Sequence, residues 1–432
     1  MYHPKETPPR HLALNPCDGT LYPDPNAVSH MTPQAPPTPP PPPRIAAIDA
    51  FRGFVMFLML AEVLHLAAVS KAIPATDPTK AVWDFLARHQ THVEWAGCTL
   101  HDLIQPSFSF LVGVALPFSL ASRASRGQKF VWSAFHALWR ATLLVLLGVF
   151  LRSVGQPQTN WTFTDTLSQI GLGYFFLFLL GHAEERWQWL AFFAIVIGYW
   201  AVFATYQPDA DLGIEQTGVK ADWNHHPKGF AAHWDKNTNP AAAFDRWFLN
   251  QLPQAKPFAY NSGGYATLNF IPTLATMILG LIAGGRLRYP DGLKAKFWNL
   301  LGTGLCLVAM GIVLEAAGVC PIVKRIWTPT WVLFSGGWCY LILCAFYAVT
   351  DWSEWAAWTF PLKVIGANSI LAYCLPHLIE PFVIGSYRTH LGQNVFQKFG
   401  TAYEPFVAGV AVLSTFWLIL LWLYRKRIFI RI

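Results

Sequence analysis

Apolar runs near the length of a membrane-crossing helix recur from residue 45 to the end of this 432-residue chain. A helix needs about 20 apolar residues to cross the hydrocarbon core of a bilayer. Charged residues make up only 13% of the chain, about half the share found in soluble domains. A water-soluble enzyme is therefore excluded. The pattern predicts an all-α fold, a polytopic membrane helix bundle with about ten transmembrane helices. The predicted spans are 48–69, 101–121, 131–152, 164–182, 188–206, 264–284, 298–318, 329–349, 360–380 and 405–424.

The N-terminal region differs in composition from the rest of the chain. Residues 1–44 are polar, and a proline-rich run at 34–44 favours the polyproline II conformation. We predict a disordered, Pro-rich cytoplasmic tail, with a docking peptide for a partner as the alternative. A transmembrane domain follows over 45–432. The seven cysteines form no CxxC pair and have no metal-ligand spacing, so we expect neither a disulfide framework nor a metal site.

Basic residues are concentrated in alternate connections between the predicted spans. Short connections rich in Lys and Arg stay in the cytoplasm, which predicts that both termini are cytoplasmic and that loops 70–100 and 207–263 lie outside. The short connections on the outer side carry only Arg152, Lys324 and Arg325. The net charge of +7 follows from this bias and requires no nucleic-acid partner. The basic set on the cytoplasmic side is Arg123, Arg126, Lys129, Arg186, Arg286, Arg288, Lys294, Lys296, Arg425, Lys426, Arg427 and Arg431.

The first predicted span contains two pairs of ionisable residues. Ionisable groups inside a membrane are costly unless they are paired, so each is a candidate site residue. Asp49 and Arg52 are spaced i, i+3 and share one helix face, at the cytoplasmic end. They form either an anchoring ion pair or part of a ligand site. Glu62 and His65 have the same spacing at the outer end, where an internal pair and a catalytic role are both open.

A second concentration of titratable residues precedes the second span. His92, Glu94, His101 and Asp102 lie within eleven positions of one another at the predicted outer surface. A histidine beside a carboxylate can act as a general base, because the carboxylate fixes its tautomer and raises its basicity. The same histidine could instead carry an acyl group transiently. This stretch is therefore the leading candidate for catalysis.

Polar residues in later spans complete the candidate set. Asp165 and Gln169 lie at the start of the fourth span, Asn269 in the sixth and Asn368 in the ninth. Amides in such positions either bind a substrate or cross-link helices. The outer loop 207–263 mixes Trp, His and Asp residues, which suits a sugar, with a solvated loop packed over the bundle as the alternative.

Five segments resemble conserved blocks of a known membrane family. Residues 44–53 contain Asp-x-x-Arg-Gly, and residues 92–103 contain His-x-x-Trp-x-Gly-x-Thr-x-x-Asp-Leu. The second block continues into 106–113, and further similar segments are 264–280 and 366–373, the latter beginning Gly-x-Asn. Together they resemble the heparan-α-glucosaminide N-acetyltransferase-like membrane proteins over about residues 44–424.

The resemblance implies transfer of an acetyl group from cytoplasmic acetyl-CoA to an amino or hydroxyl group of a sugar or glycan across the bilayer. His92 matches the family's catalytic histidine and Asp102 the aspartate that follows it, while Asp49 and Arg52 would lie where the CoA enters. No metal is implied. A tunnel for the pantetheine arm would be lined by Arg52, Glu62, His65 and Asp102, with His101, Asp165, Gln169, Asn269 and Asn368 as further substrate or tunnel candidates.

Two departures from the family concern the acceptor. The segment 164–174 keeps Gln169 but lacks the arginine that follows in animal members, and loop 207–263 has no obvious match to them. We therefore expect a bacterial inner-membrane relative that acts on another envelope glycan. The sequence leaves open whether it is a homodimer and whether His92 is a base or an acetyl carrier. The alternative functions are a transporter or flippase and a catalytically inactive anchor for a partner.

Overall fold

The computed structural model describes residues 12–14, 21–23, 45–209 and 212–430. The chain divides into two compact units, Met1–Pro42 and Pro43–Ile432. In the first unit, strands β1 (Leu12–Leu14) and β2 (Leu21–Pro23) pair antiparallel, with Ala13 opposite Tyr22. The predicted proline-rich tract at 34–44 lies outside the described residues.

The second unit is helical. Its helices are α1 (Ala46–Leu60), α2 (Leu66–Ala72), α3 (Lys80–His89), α4 (Ile104–Ser125), α5 (Phe130–Ser153), α6 (Thr166–Leu180), α7 (Glu185–Thr205), α8 (Ile214–Thr217), α9 (Pro240–Phe248), α10 (Phe270–Arg288), α11 (Leu293–Ala316), α12 (Pro329–Tyr347), α13 (Phe360–Ala367), α14 (Ser369–Leu391) and α15 (Glu404–Arg425). Short 3₁₀ turns are Ala61–Leu64, His101–Leu103, Gly229–Trp234, Leu249–Gln251, Thr267–Asn269, Ala357–Thr359, Val395–Gln397 and Thr401–Tyr403, and Ala348–Trp352 is a π turn.

Nine helical segments of the described residues are long and apolar enough to cross a membrane. The apolar α6 is shorter, with 15 residues, which correspond to about 22 Å of helix. These ten segments follow the ten predicted spans in order. The predicted polytopic helix bundle is therefore confirmed.

The first and ninth spans contain breaks that the prediction of continuous helices missed. His65 has φ 47° and separates the Ala61–Leu64 turn from α2. Asn368 separates α13 from α14, so the helix that corresponds to the ninth predicted span is Ser369–Leu391 and the predicted boundary of 360–380 is wrong. The sequence stays apolar on both sides of each break. Polar contacts of His65 and Asn368 interrupt the helix, and hydropathy therefore does not reveal the interruption.

Helices α4 and α10 pack with their backbones close together. A Cβ atom on Gly280 would lie 1.9 Å from the Phe110 carbonyl oxygen, and one on Gly113 would lie 2.0 Å from the Met277 carbonyl oxygen. Only glycine permits such a crossing, as in other membrane helix pairs. This tight contact fixes the segment before α4 relative to the start of α10.

Candidate active site

His92 and Asp102 lie side by side at the end of the bundle where α4 begins. His92 follows α3 in a loop, and Asp102 belongs to the 3₁₀ turn that leads into α4. His92 Nδ1 is 2.7 Å from Asp102 Oδ1. Asp102 is 1% exposed, whereas the His92 side chain is 35% exposed. The structure therefore brings the two predicted residues into direct contact.

Asp102 is surrounded by hydrogen-bond donors. Its Oδ2 accepts from the backbone nitrogens of Thr99 at 3.0 Å and Val93 at 3.3 Å, and the Thr99 hydroxyl is also 3.0 Å away. Lys324 Nζ lies 3.3 Å from Oδ1. An ionised carboxylate only accepts hydrogen bonds, so this environment stabilises Asp102 as an anion.

This contact determines the tautomer of His92. Because the Asp102 oxygen accepts, Nδ1 carries the proton and Nε2 keeps its lone pair. Nε2 makes no hydrogen bond to any residue that the structure describes. Burial lowers the pKa of His92 below its usual value; Lys324 and Arg325 act in the same direction, and Asp102 opposes them. A neutral imidazole with an available Nε2 can accept either a proton or an acyl group.

Lys324 is a site residue that sequence reasoning did not select. It lies between α11 and α12, and its Nζ is 3.1 Å from His92 Nδ1 as well as 3.3 Å from Asp102. The signal in the sequence is its position: Lys324 and Arg325 are basic residues in a short connection that the charge bias assigns to the outer side.

Several contacts hold the segment of Lys324 against the segment of His92. Arg325 donates to the carbonyl oxygens of Val93 at 3.0 Å and Gly263 at 2.9 Å. The Gly97 nitrogen donates to the Ile322 carbonyl at 3.0 Å. Asn269 Nδ2 donates to the Arg325 carbonyl at 2.7 Å, so this predicted candidate cross-links the scaffold of the site.

A second histidine–carboxylate pair adjoins the first. His101 Nε2 is 3.4 Å from Glu62 Oε1, and the His101 and His92 rings lie 4.4 Å apart. The predicted internal pair of Glu62 with His65 is wrong: His65 Nε2 instead contacts Glu380 Oε1 at 3.3 Å. The left-handed conformation of His65 removes it from the helical face that an i, i+3 pair requires.

The remaining predicted polar residues make local structural contacts. Asp165 caps α6, accepting from the nitrogens of Leu167 and Ser168 at 3.0 and 3.1 Å. Gln169 Nε2 donates to the Phe163 carbonyl at 2.6 Å. The fully buried Asn368 donates to the Ile428 carbonyl at 3.0 Å and accepts from the Ile430 nitrogen at 2.9 Å.

A cavity of about 960 Å³ lies beside α1, α4 and α6. Asp49 and Arg52 both line it and form an ion pair of 3.6 Å. Three further cations in its wall were not among the predicted site residues: Arg140, Lys363 and Arg427. Arg140 is signalled in the sequence by its position inside the third predicted span, where any cation is a candidate. We call this space the cationic cavity.

The cationic cavity extends from these charges toward the histidines. It follows α4 from Ser119 to Phe108, which is about 16 Å along the helix axis. Asp102 lies about 9 Å beyond Phe108 along the same axis. Tyr373 of α14 is another lining residue. Of the four residues predicted to line the tunnel, Arg52 is in the cavity wall, whereas Glu62, His65 and Asp102 are not.

Residues 225–235 of the predicted outer loop pack against the segment that carries His92. Trp95 Nε1 donates to the carbonyl of the buried Trp234 at 3.2 Å. His225 contacts Glu94 at 3.4 Å, while the adjacent His226 contacts Asp235 at 2.6 Å. These two histidines therefore have separate partners, and the loop forms a cover over one side of the site.

Two curated proteins are similar to this chain over much of its length. The chain is 25% identical over 395 residues to heparan-alpha-glucosaminide N-acetyltransferase of Homo sapiens, which covers 79% of this chain and 55% of the human protein. It is 24% identical over 391 residues to the protein of the same name from Mus musculus, with 79% and 56% covered. The chain thus spans about half the length of these curated relatives. No protein-family model matches it. The two similarities confirm the resemblance that the motifs predict.

Proposed function

We propose that this chain, a relative of the heparan-alpha-glucosaminide N-acetyltransferases, is a membrane-embedded acetyltransferase. It would move an acetyl group from acetyl-CoA to an amino or hydroxyl group of a sugar or glycan. The observation that carries this proposal is the His92–Asp102 pair, with Nε2 of a neutral imidazole left available, in a bundle that also contains a cavity lined by cations.

The cationic cavity suits the donor. Arg140, Lys363 and Arg427 would bind the phosphates of CoA, because cations and charge-assisted hydrogen bonds favour such groups. The apolar wall of Phe108, Leu111 and other residues would accommodate the pantetheine arm. The volume of about 960 Å³ is at the upper end for small-molecule sites, as a large donor requires.

Two reaction sequences fit His92. In the first, Nε2 attacks the thioester carbon, an N–C bond forms, the C–S bond breaks and CoA leaves as a thiolate. The acceptor then attacks the acetyl carbon, the N–C bond breaks, and the proton that the acceptor loses passes to the thiolate. In the second, Nε2 removes the proton from the acceptor as it attacks the thioester, and the departing thiolate finally receives that proton. In both, Asp102 orients the ring and stabilises the positive charge that develops on it.

The orientation is also a proposal, supported by the charge bias. The cationic cavity lies at the end where α1 begins and α15 ends, which the basic connections assign to the cytoplasm. His92 lies at the opposite end of α1, near Glu62. Asp49 and Glu62 are thirteen residues apart, or about 20 Å of helix. The donor would enter from the cytoplasm and the acceptor from the other side.

The test uses purified protein in detergent with acetyl-labelled acetyl-CoA. Glucosamine is the amine acceptor and N-acetylglucosamine the acceptor with hydroxyls only. We expect CoA release in step with acetylated sugar for the wild type, loss of both in His92→Ala, and retention of both in the control His390→Ala, whose side chain is exposed. Wild-type rates in His92→Ala would refute the role of His92.

Two further measurements, one in detergent and one in sealed vesicles, discriminate between the alternatives. Label retained on the wild-type protein without acceptor, and absent from His92→Ala, supports the acetyl-imidazole route. Movement of sugar across a vesicle membrane without any acetylation would instead support the transporter alternative, for which the cavity inside the bundle would be the substrate path.

A further inference from the structure

Lys324 is the most completely buried cation around the candidate site. Its side chain is 4% exposed, although lysine is almost never fully buried without a partner. The partner is Asp102, which is also the partner of His92. One carboxylate oxygen, Oδ1, therefore faces both the lysine and the histidine.

The distances determine which group Lys324 can bind. Nζ is 3.1 Å from His92 Nδ1, but Nδ1 already carries the proton that it donates to Asp102 across 2.7 Å. The ammonium group has no acceptor there and donates to Asp102 Oδ1 at 3.3 Å. Its charge nevertheless lies directly beside the imidazole.

The backbone around Lys324 is held in place independently of its side chain. Val323 pairs with Ala96, and the Arg325 side chain and carbonyl are both hydrogen-bonded. The position of the ammonium group is thus set by the scaffold. A charge fixed in this way acts on a neighbouring group without any cost of reorganisation.

We propose that Lys324 is a positioning residue for the proposed reaction: its cation balances Asp102 and keeps His92 neutral, with Nδ1–H directed at the carboxylate and Nε2 open. Without the cation, Asp102 would be opposed by burial and by Arg325, and the imidazolium form, which has no lone pair on Nε2, would become more favourable. This inference rests on the proposed role of His92.

The charges facing His92 come from three segments and agree with this role. They are Asp102 and His101 before α4, with Glu62 of the Ala61–Leu64 turn behind His101, and Lys324 with Arg325 before α12. Burial lowers the pKa of Lys324 to about 8, so the lysine is still cationic at neutral pH. Between the lowered pKa of His92 and about pH 8, the three groups are neutral imidazole, carboxylate and ammonium.

The test measures the state of His92 without requiring acetyl transfer. Diethyl pyrocarbonate modifies neutral imidazole, and mass spectrometry of the peptide containing His92 gives the rate at this residue across pH 4.5–8.5 (about two units either side of an ordinary histidine). The midpoint is the pH at which the modification rate of His92 is half its maximum. We expect this midpoint to rise by about one pH unit in Lys324→Met, because an adjacent positive charge is removed. Lys324→Arg, which keeps the charge, and Lys71→Met, which removes an exposed cation elsewhere, should retain the wild-type midpoint.

The outcomes separate this inference from the proposed function. An unchanged midpoint in folded Lys324→Met would overturn the inference even if the protein is an acetyltransferase. If Lys324→Met does not fold, a midpoint in Lys324→Arg that differs from the wild type by a full unit would overturn it. A raised midpoint in a protein without acetyl transfer would support the effect of Lys324 on His92 but refute the proposed function, and with it the positioning role in that reaction. When the inference and the proposed function both hold, the apparent pKa on the acidic side of the pH profile of kcat/KM rises in Lys324→Met together with the midpoint of modification.

Discussion

The two ends of the bundle use charge in opposite ways. Around His92, the charged groups are in contact: Asp102 receives donors from Val93, Thr99 and Lys324 within 3.3 Å. Around the cationic cavity, charges from distant parts of the chain line a space of about 960 Å³. Arg140 even retains a buried Nε without a hydrogen-bond partner among the described residues.

This difference indicates a division of labour. A group that carries out chemistry needs its charge, tautomer and orientation set before the substrate arrives. A group that binds a polyanion needs open space in front of it, because the ligand supplies the opposite charge. Substitutions at the histidine end should therefore reduce kcat, whereas substitutions at the cavity end should raise KM for acetyl-CoA.

The largest predicted effect is that of Asp102→Asn. The amide can donate to Nδ1, which would move the proton to Nε2 and remove the lone pair that the reaction needs. We expect kcat for acetyl transfer to fall about 10³-fold with KM for acetyl-CoA little changed. Steady-state kinetics measure both constants, and Asp84→Asn, at an exposed carboxylate, is the matched control. A fall of less than tenfold would contradict the preset tautomer.

A smaller effect is predicted at the cavity end for Arg427→Ala. Loss of one cation facing the donor phosphates should raise KM for acetyl-CoA about tenfold and leave kcat near the wild-type value, since uniform binding is what is lost. The adjacent Lys426 is exposed and does not line the cavity, so Lys426→Ala is the control. A fall in kcat at constant KM would break the contrast between the two ends.

The smallest predicted effect is that of Asn368→Ala. Asn368 holds the backbone of Ile428 and Ile430, and Ile430 lines the cationic cavity next to Phe429. Removing both hydrogen bonds should cost about 1–2 kcal/mol of unfolding free energy and raise KM for acetyl-CoA about threefold. Thermal unfolding in detergent and initial rates test this, with the exposed Asn394 changed to Ala for comparison. A lower kcat with an unchanged KM for acetyl-CoA would contradict this prediction.

The bundle could be predicted from hydropathy because the bilayer imposes it. A span must be long, apolar and satisfied in its backbone hydrogen bonds, and these demands are visible in the sequence. The breaks at His65 and Asn368 were not predicted, because they depend on contacts with Glu380 and with residues 428–430. Such contacts join parts of the chain that hydropathy treats as unrelated.

The site was predictable only where its residues are near in sequence. His92 and Asp102 are ten positions apart, and both are candidates in the sequence because they lie in one short stretch of titratable residues. The structure brings them into contact. Lys324 lies 232 positions from His92, and its role depends on how α11 and α12 pack. Arg140 could have been selected as a cation inside a span. Lys363 and Arg427 join it at the cavity only through the fold.

The central claim is that an acetyl group passes from the cationic cavity to the His92 end of the bundle. The direct measurement seals glucosamine inside proteoliposomes and adds acetyl-labelled acetyl-CoA outside, with wild-type protein and His92→Ala in parallel. The account predicts labelled N-acetylglucosamine inside wild-type vesicles, CoA released outside in equal amount, and neither product with His92→Ala. Equal internal acetylation by His92→Ala, or acetylation only of sugar placed on the same side as the donor, would contradict the account.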